Sequence, residues 1–284
     1  MSTSLPIHKR GLFGVLTLTV AAILATLLCS SPGIARAVAR AHKAQPAKPT
    51  IVLVHGAWAD ASSWSRVITR LQSDGYTVDA PPDPLRGIAS DSASLANFLK
   101  TIPGPVVLVG HSYGGAVITN AATSDPQVKA LVYVDAFIPD KGQTILQLVS
   151  GAPGSHLAGD PKNVFNFVPF GPGAGDVDVY VKPSVFPDAF ANGLSRTLAD
   201  ELGASQRPLA LSALQEPSGP PAWATIRSWS VIGTRDHVIP LAEQVAMSRH
   251  AGAHITEIDA PHLSMLADPS GVTDVIVKAA HTVG

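Results

Sequence analysis

Three residues in this chain combine the right types and settings for covalent chemistry: Ser112, Asp236 and His262. Ser112 lies in "LVGHSYGGAV" (108–117), where an apolar run stops at Gly110 and the spacing Gly110-x-Ser112-x-Gly114 follows. That spacing is the one used where a serine sits on a strained strand-to-helix turn and holds its hydroxyl above a sheet. Glycines on either side leave room for the chain to turn sharply. A free hydroxyl is a poor nucleophile at neutral pH, so it needs a base, and the base needs an orienting acid. Downstream, "RSWSVIGT" runs into Arg235-Asp236-His237, and "HITEI" into Asp259-Ala260-Pro261-His262. Serine, acid and histidine, the three residue types that two-step acyl transfer requires, thus each lie just past a strand-like run. The reaction also needs two backbone N–H groups aimed at the developing oxyanion. Tyr113, after the nucleophile, and Ala57, after Gly56 in "HGAW", are the candidates.

Other residues compete for these roles. Asp135, after "LVYV", also ends a strand-like run, but the Gly-x-x-Asp-x-x-x-Pro context favours Asp236 as the acid. His55 reads as shaping the "HG" loop, and His111 as packed under the elbow. His250 and His254 have the i, i+4 spacing of a zinc pair, yet Gly252 and a helix-to-strand break separate them, which argues against a metal there. Neither a metal nor a cofactor is expected. Trp58 and Trp64 read as loop and core packing. Trp58, Phe137, Phe165, Phe167 and Phe170 are the candidate lining of a substrate pocket; the three cap phenylalanines serve equally well as internal packing of a loop-rich lid.

The elements that must hold these groups alternate. "TIVLVHG", "YTVDAP", "PVVLVG" and "VKALVYVDA" read as buried strands, with helices from Ser62 or Ser63 to about Ser73, from Ser90 to Lys100 and from Gly114 to Thr123 between them. From Phe137 to Ala222 Pro and Gly crowd the chain and the alternation is lost. It resumes with "RSWSVIGT", a helix over Leu241–Ala251, "HITEI" and a final helix from about Ser270 to His281. This order predicts an α/β fold with a doubly wound, mostly parallel sheet and a cap inserted at about 137–222.

Composition narrows the function classes. Of 284 residues, 46% are hydrophobic and 14% charged, enough apolar material for a full core and too little charge for a disordered chain. The net charge of -1 leaves no electrostatic footprint for nucleic acid. His8-Lys9-Arg10, an apolar stretch from Leu12 to Leu28, Pro32-Gly33 and Ala35-Arg36-Ala37 come in the order of a secretory signal with its cleavage site, predicting a leader over 1–37, a linker over 38–49 and the folded domain over 50–284. Export to the periplasm or medium follows, the rival reading being an uncleaved membrane anchor. A lipid attachment at Cys29, the sole cysteine, is disfavoured by Leu28 before it. Loss of the leader would leave no thiol, no membrane partner and a charge of 17 minus 21, or -4.

The motifs "VLVHGAWADASSW", "LVGHSYGG", "GTRDHVIP" and "APHLSML" resemble the α/β-hydrolase superfamily, and within it the small capped branch of plant methyl-ester esterases, hydroxynitrile lyases and bacterial esterases. The resemblance runs from about residue 50 onward and is poor across the cap. It implies a Ser112–His262–Asp236 triad, an oxyanion hole at Ala57 and Tyr113, a small-molecule ester as substrate and no cofactor. Two alternatives accompany it: a cyanohydrin lyase, and a non-catalytic ligand-binding protein on the same scaffold. In the lyases a lysine follows the histidine and a threonine replaces the "HG" glycine; here Leu263 and Gly56 occupy those positions, which favours hydrolysis.

Overall fold

The computed structural model describes residues 48–151, 153–170 and 175–283. The expected leader, most of the expected linker and Cys29 lie outside these residues. The first half builds β1 (Thr50–Val54), α1 (Ser65–Ser73), β2 (Val78–Asp79), α2 (Ile88–Leu99), β3 (Val106–His111), α3 (Tyr113–Ala121) and β4 (Val128–Val134). The segment after β4 holds α4 (Ile145–Gly151), α5 (Pro161–Val164), β5 (Phe165–Pro169), β6 (Val177–Val181), α6 (Phe186–Ala189), α7 (Arg196–Ser205), β7 (Leu209–Ala210) and α8 (Leu211–Gln215). The chain then completes β8 (Ser228–Gly233), α9 (Leu241–His250), β9 (His254–Ile258), α10 (Ser264–Ala267) and α11 (Pro269–Ala280).

Six strands form one sheet in the order β2-β1-β3-β4-β8-β9, and every neighbouring pair is parallel. Parallel strands covered by helices on both faces need apolar side chains on both faces. This is why β3 is buried along its whole length and opens on the apolar run Val106–Val109, while β8, equally buried, keeps Ser228 and Ser230 only with their hydroxyls hydrogen-bonded. Each buried Val, Leu or Ile there stabilises the fold by roughly 1.5–3 kcal/mol. Right-handed crossovers put α1 on one face and α2, α3 and α9 on the other, with α11 returning to pack against α1. The chain leaves β1 in one direction and returns to β3 on the other side, so the switch point lies between them. Open α/β sheets bind ligands at the carboxyl ends of their strands at such a point. Here those ends carry the "HG" loop and Ser112.

Local chemistry moves some boundaries. The cap of the first helical segment is Asp60, not Ser62 or Ser63: its carboxylate accepts from Ser62 N at 2.7 Å and starts a 3₁₀ turn over Ala61–Trp64 that leads into α1. Gly75, at φ +78°, ends α1 as the sequence suggests. The second strand is only two residues long, and α2 begins two residues earlier than expected, at Ile88. Asp268 caps α11 by accepting from Gly271 N at 3.0 Å.

The inserted cap is more regular than its Pro and Gly content suggests. β5, β6 and β7 form a separate antiparallel sheet. Its strands are short and bounded by proline or by very short helices, so no window of the sequence is long enough to show a period. The alternation Val177, Val179, Val181 in β6 is the one local signal.

The elbow glycines serve close approach rather than unusual dihedrals. A Cβ at Gly110 would lie 2.5 Å from Gly114 O, and one at Gly114 would lie 2.7 Å from His55 O and 2.8 Å from Val54 O. Those obstacles are backbone and cannot swing aside. Gly114→Ala is therefore expected to destabilise the protein by about 1–3 kcal/mol, read as a lower urea midpoint at unchanged m-value.

Candidate active site

Ser112 follows β3 directly and precedes the first residue of α3. Its backbone is at φ +52°, ψ -121°, a conformation that costs a non-glycine residue on the order of 1–3 kcal/mol and is found mainly at functional sites. Trp58, at φ +57°, and Asp135, at φ +45°, share the left-handed region, and all three follow strands of the main sheet at its carboxyl edge. Tyr113 opens α3, so its N–H has no intrahelical acceptor and is free for an anion. The "HG" loop presses on the elbow so closely that a Cβ at Gly56 would lie 2.7 Å from Ser112 Cβ. Ala57 and Tyr113 line one cavity with Ser112.

Asp236 and His262 meet. His262 Nδ1 lies 2.8 Å from Asp236 Oδ2, and both side chains are fully buried. The rest of the carboxylate is saturated: Oδ1 accepts from Val238 N at 2.6 Å and Ile239 N at 2.9 Å, and Oδ2 also accepts from Gln244 Nε2 at 2.8 Å. Because Nδ1 donates to a carboxylate, the lone pair is on Nε2, which is buried and has no hydrogen-bond partner among the described residues. Burial lowers the pKa of His262, so the imidazole is neutral and able to accept a proton. Burial also pushes the Asp236 carboxyl up, and the N–H donors of Ile239, Val238 and Gln244 oppose this.

The loops carrying these groups are tied together. Arg235 N donates to Ala260 O at 3.0 Å, joining the acid loop to the histidine loop. The His111 ring lies 4.7 Å from that of His262, and its Nε2–H donates to His262 O at 3.0 Å, joining the histidine loop to the elbow. His111 thus packs beneath the site as the sequence suggested. His55 uses both ring nitrogens structurally: Nδ1–H donates to Gly56 O at 2.9 Å and Nε2 accepts from Asp83 N at 2.9 Å.

Burial holds the His111 pKa well below the ordinary 6.5. The unfolded chain then binds a proton that the folded one refuses, so the imidazole's contribution is complete above pH 6.5 and is lost as pH falls toward the lowered value. His111→Gln removes that proton acceptor. Below pH 6.5 its stability is expected to fall less steeply than wild type, by up to about 1.4 kcal/mol per pH unit, measured by denaturant titrations from pH 7.5 to 4.5.

Asp135 serves a different pair. Oδ1 accepts from Gly233 N at 2.6 Å and Oδ2 accepts from the Ser264 hydroxyl. Burial and the neighbouring Asp236 push its carboxyl well above the usual carboxylate range. It joins the end of β8 to the segment just after His262 and does not bond the imidazole.

The cavity over Ser112 has a volume of about 340 Å³. Trp58, Phe137 and Phe165 line it, as expected. Trp58 also stacks on Phe165 at 5.7 Å and donates Nε1–H to Val179 O at 2.8 Å, fixing the cap sheet to the core. Phe167 and Phe170 are not among the lining residues. Phe167 is 41% exposed beside Phe165 in the edge strand β5, and Phe170 lies under the Arg86 guanidinium, 4.8 Å from ring centroid to Cζ. The aliphatic wall from Ile145, Leu146, Val149, Leu157 and Leu214 was missed in the sequence; the 145, 146, 149 spacing is helical and was its only signal. His250 pairs with Asp140 at 3.0 Å and His254 lies on Trp229 at 5.3 Å, so the two face different neighbours.

Residues 51–275 match the family described as the alpha/beta hydrolase family. The chain is 33% identical over 114 residues to a carbendazim hydrolyzing esterase of Nocardioides sp. (strain SG-4G), covering 36% of this chain and 47% of that protein. It is 36% identical over 107 residues to an alpha-hydroxynitrile lyase of Arabidopsis thaliana, covering 33% of this chain and 42% of that protein. The chain thus spans less than half the length of these curated relatives. In fold it is similar to the crystal structure of polyneuridine aldehyde esterase, with a TM-score of 0.71 at 20% identity over 82% of this chain and 99% of that one.

Proposed function

The chain belongs to the alpha/beta hydrolase family, and from that premise we propose that it is a serine hydrolase that cleaves carboxylic esters through an acyl-enzyme. The observation that carries the reading is the buried His262–Asp236 pair at 2.8 Å with Nε2 unpaired, tied through His111 to the elbow serine, which opens into an apolar cavity. Ser112 Oγ attacks the ester carbonyl while His262 Nε2 takes its proton. Asp236 holds the tautomer and stabilises the imidazolium that forms. The N–H groups of Ala57 and Tyr113 stabilise the tetrahedral oxyanion. The imidazolium then protonates the departing alcohol, and the same nitrogen activates water to release the acid. Asp135 is taken up by Gly233 N and the Ser264 hydroxyl and does not reach the imidazole, whereas Asp236 accepts from His262 Nδ1, which supports Asp236 as the acid.

Similarity to a hydroxynitrile lyase raises the cleavage of cyanohydrins as a second reading. The buried Leu263 after His262, in place of a lysine, favours hydrolysis.

A cavity lined by Trp58, Phe137, Phe165 and aliphatic side chains discriminates acyl groups by buried methylenes. Burial of each CH₂ contributes about 0.8 kcal/mol, so kcat/KM for p-nitrophenyl esters is expected to rise by about fourfold per methylene until the cavity is filled, then fall. A pure preparation that hydrolyses none of the series would overturn the esterase reading.

A further inference from the structure

On the outer side of the acid loop, His156, Asp188 and His237 bring one ligand atom each within 4.8 Å of the others. The three come from separate segments. His156 lies between α4 and α5, Asp188 in α6, and His237 follows Asp236 directly. The two imidazoles are stacked with centroids 4.0 Å apart, and His156 Nδ1 lies 2.9 Å from Asp188 Oδ2. His237 Nδ1 lies 2.9 Å from Asp188 O. A carbonyl only accepts, so Nδ1 of His237 carries the hydrogen and Nε2 the outward lone pair. Metal-bound histidines are usually fixed this way, with the second ring N–H donated to a carbonyl or carboxylate. The backbone is already fixed around the cluster: His156 N donates to His237 O at 2.8 Å, and Asn192 Nδ2 to Arg235 O at 2.8 Å. Nearby, the Arg235 guanidinium is paired with Asp259 at 2.6 Å.

We propose that His156, Asp188 and His237 bind a borderline divalent cation of the zinc type that staples the cap to the loop carrying Asp236. Two imidazoles and one carboxylate form a donor set suited to Zn²⁺ and unlike the all-oxygen shell preferred by Mg²⁺ or Ca²⁺. A fourth position stays open to water, because His156 and Asp188 are exposed. The separation of His156 Nδ1 from Asp188 Oδ2 is close to that of two ligands sharing one ion with bonds of about 2.0–2.1 Å. Short rotations of two surface side chains bring the third donor in. The ion carries no chemistry of the ester reaction; it joins three segments that the fold otherwise holds by hydrogen bonds.

The test uses the untagged, chelator-treated protein and ZnCl₂, with MgCl₂ as the hard-cation control. Isothermal titration is expected to show one saturable Zn²⁺ equivalent and none for Mg²⁺. At a hundredfold excess over the dissociation constant, Tm is expected to rise by roughly 5–10 °C. His156→Gln and Asp188→Asn alter exposed side chains and should melt like wild type without metal, yet each should weaken Zn²⁺ binding at least tenfold and lose the Tm rise. Absence of saturable binding, or binding and Tm shift unchanged in both variants, would overturn the site.

Discussion

Ser112→Ala is expected to lower turnover of any accepted ester on the order of a millionfold, the loss that follows when the nucleophile is removed from a triad acting as a unit. The substitution removes one oxygen from a residue only 2% exposed at the base of the cavity. It leaves Gly110, Gly114 and the close packing of the elbow unchanged. Stability should therefore stay near wild type, and the comparison is made by stopped assays together with a denaturant midpoint. Near-normal turnover by pure, folded Ser112→Ala would remove Ser112 from the chemistry.

Substituting the two buried acids separates their roles. Asp236→Asn places an amide where Oδ2 now accepts from both His262 Nδ1 and Gln244 Nε2. An amide NH₂ cannot accept from either. If it takes the Oδ2 position, the imidazole must turn its lone pair to Nδ1, which puts the hydrogen on Nε2 and blocks uptake of the serine proton. If the amide oxygen takes that position instead, the NH₂ faces the N–H groups of Val238 and Ile239, and the charge that stabilises the imidazolium is still lost. A loss of about ten-thousandfold in turnover is expected, as for the equivalent change in a serine protease triad. Asp135→Asn meets a tolerant partner, because the Ser264 hydroxyl can accept as readily as it donates, while the amide oxygen keeps the bond from Gly233 N. Its loss should be about tenfold or less, as for a residue one shell removed from the reacting groups. Melting curves for both variants guard against misfolding. A reversed ranking with folding preserved would move the acid to the end of β4.

The parallel sheet was legible because β1 and β3 are nearly continuous apolar runs and the strands end in a glycine or polar loop; β3, β8 and β9 are where the sequence puts them, to within a residue or two. The candidate site residues were legible for the same reason, since the carboxyl ends of strands are where open α/β sheets bind their ligands. The cap strands were not. β2 falls inside "YTVDAP" as expected, only shorter, but the cap strands take their stability from packing on Trp58 and the core rather than from local propensity. The pocket followed the same limit: Phe165 was expected beside Phe167 and Phe170, yet only Phe165 lines the cavity, because the edge position of β5 and the Arg86 contact of Phe170 depend on tertiary pairing. In the sequence His237 is only a neighbour of Asp236, because its partners His156 and Asp188 are distant along the chain and belong to the cap.

The central claim is that Ser112 is the activated nucleophile. A fluorophosphonate forms a bond from a serine oxygen to phosphorus as fluoride leaves, and only a serine deprotonated by a base in place reacts quickly. Intact-mass measurement after brief exposure, followed by peptide mapping, is predicted to show one adduct, on Ser112, absent from Ser112→Ala and strongly slowed in Asp236→Asn. An unlabelled protein that still hydrolyses esters, or an adduct on another serine, would contradict the account.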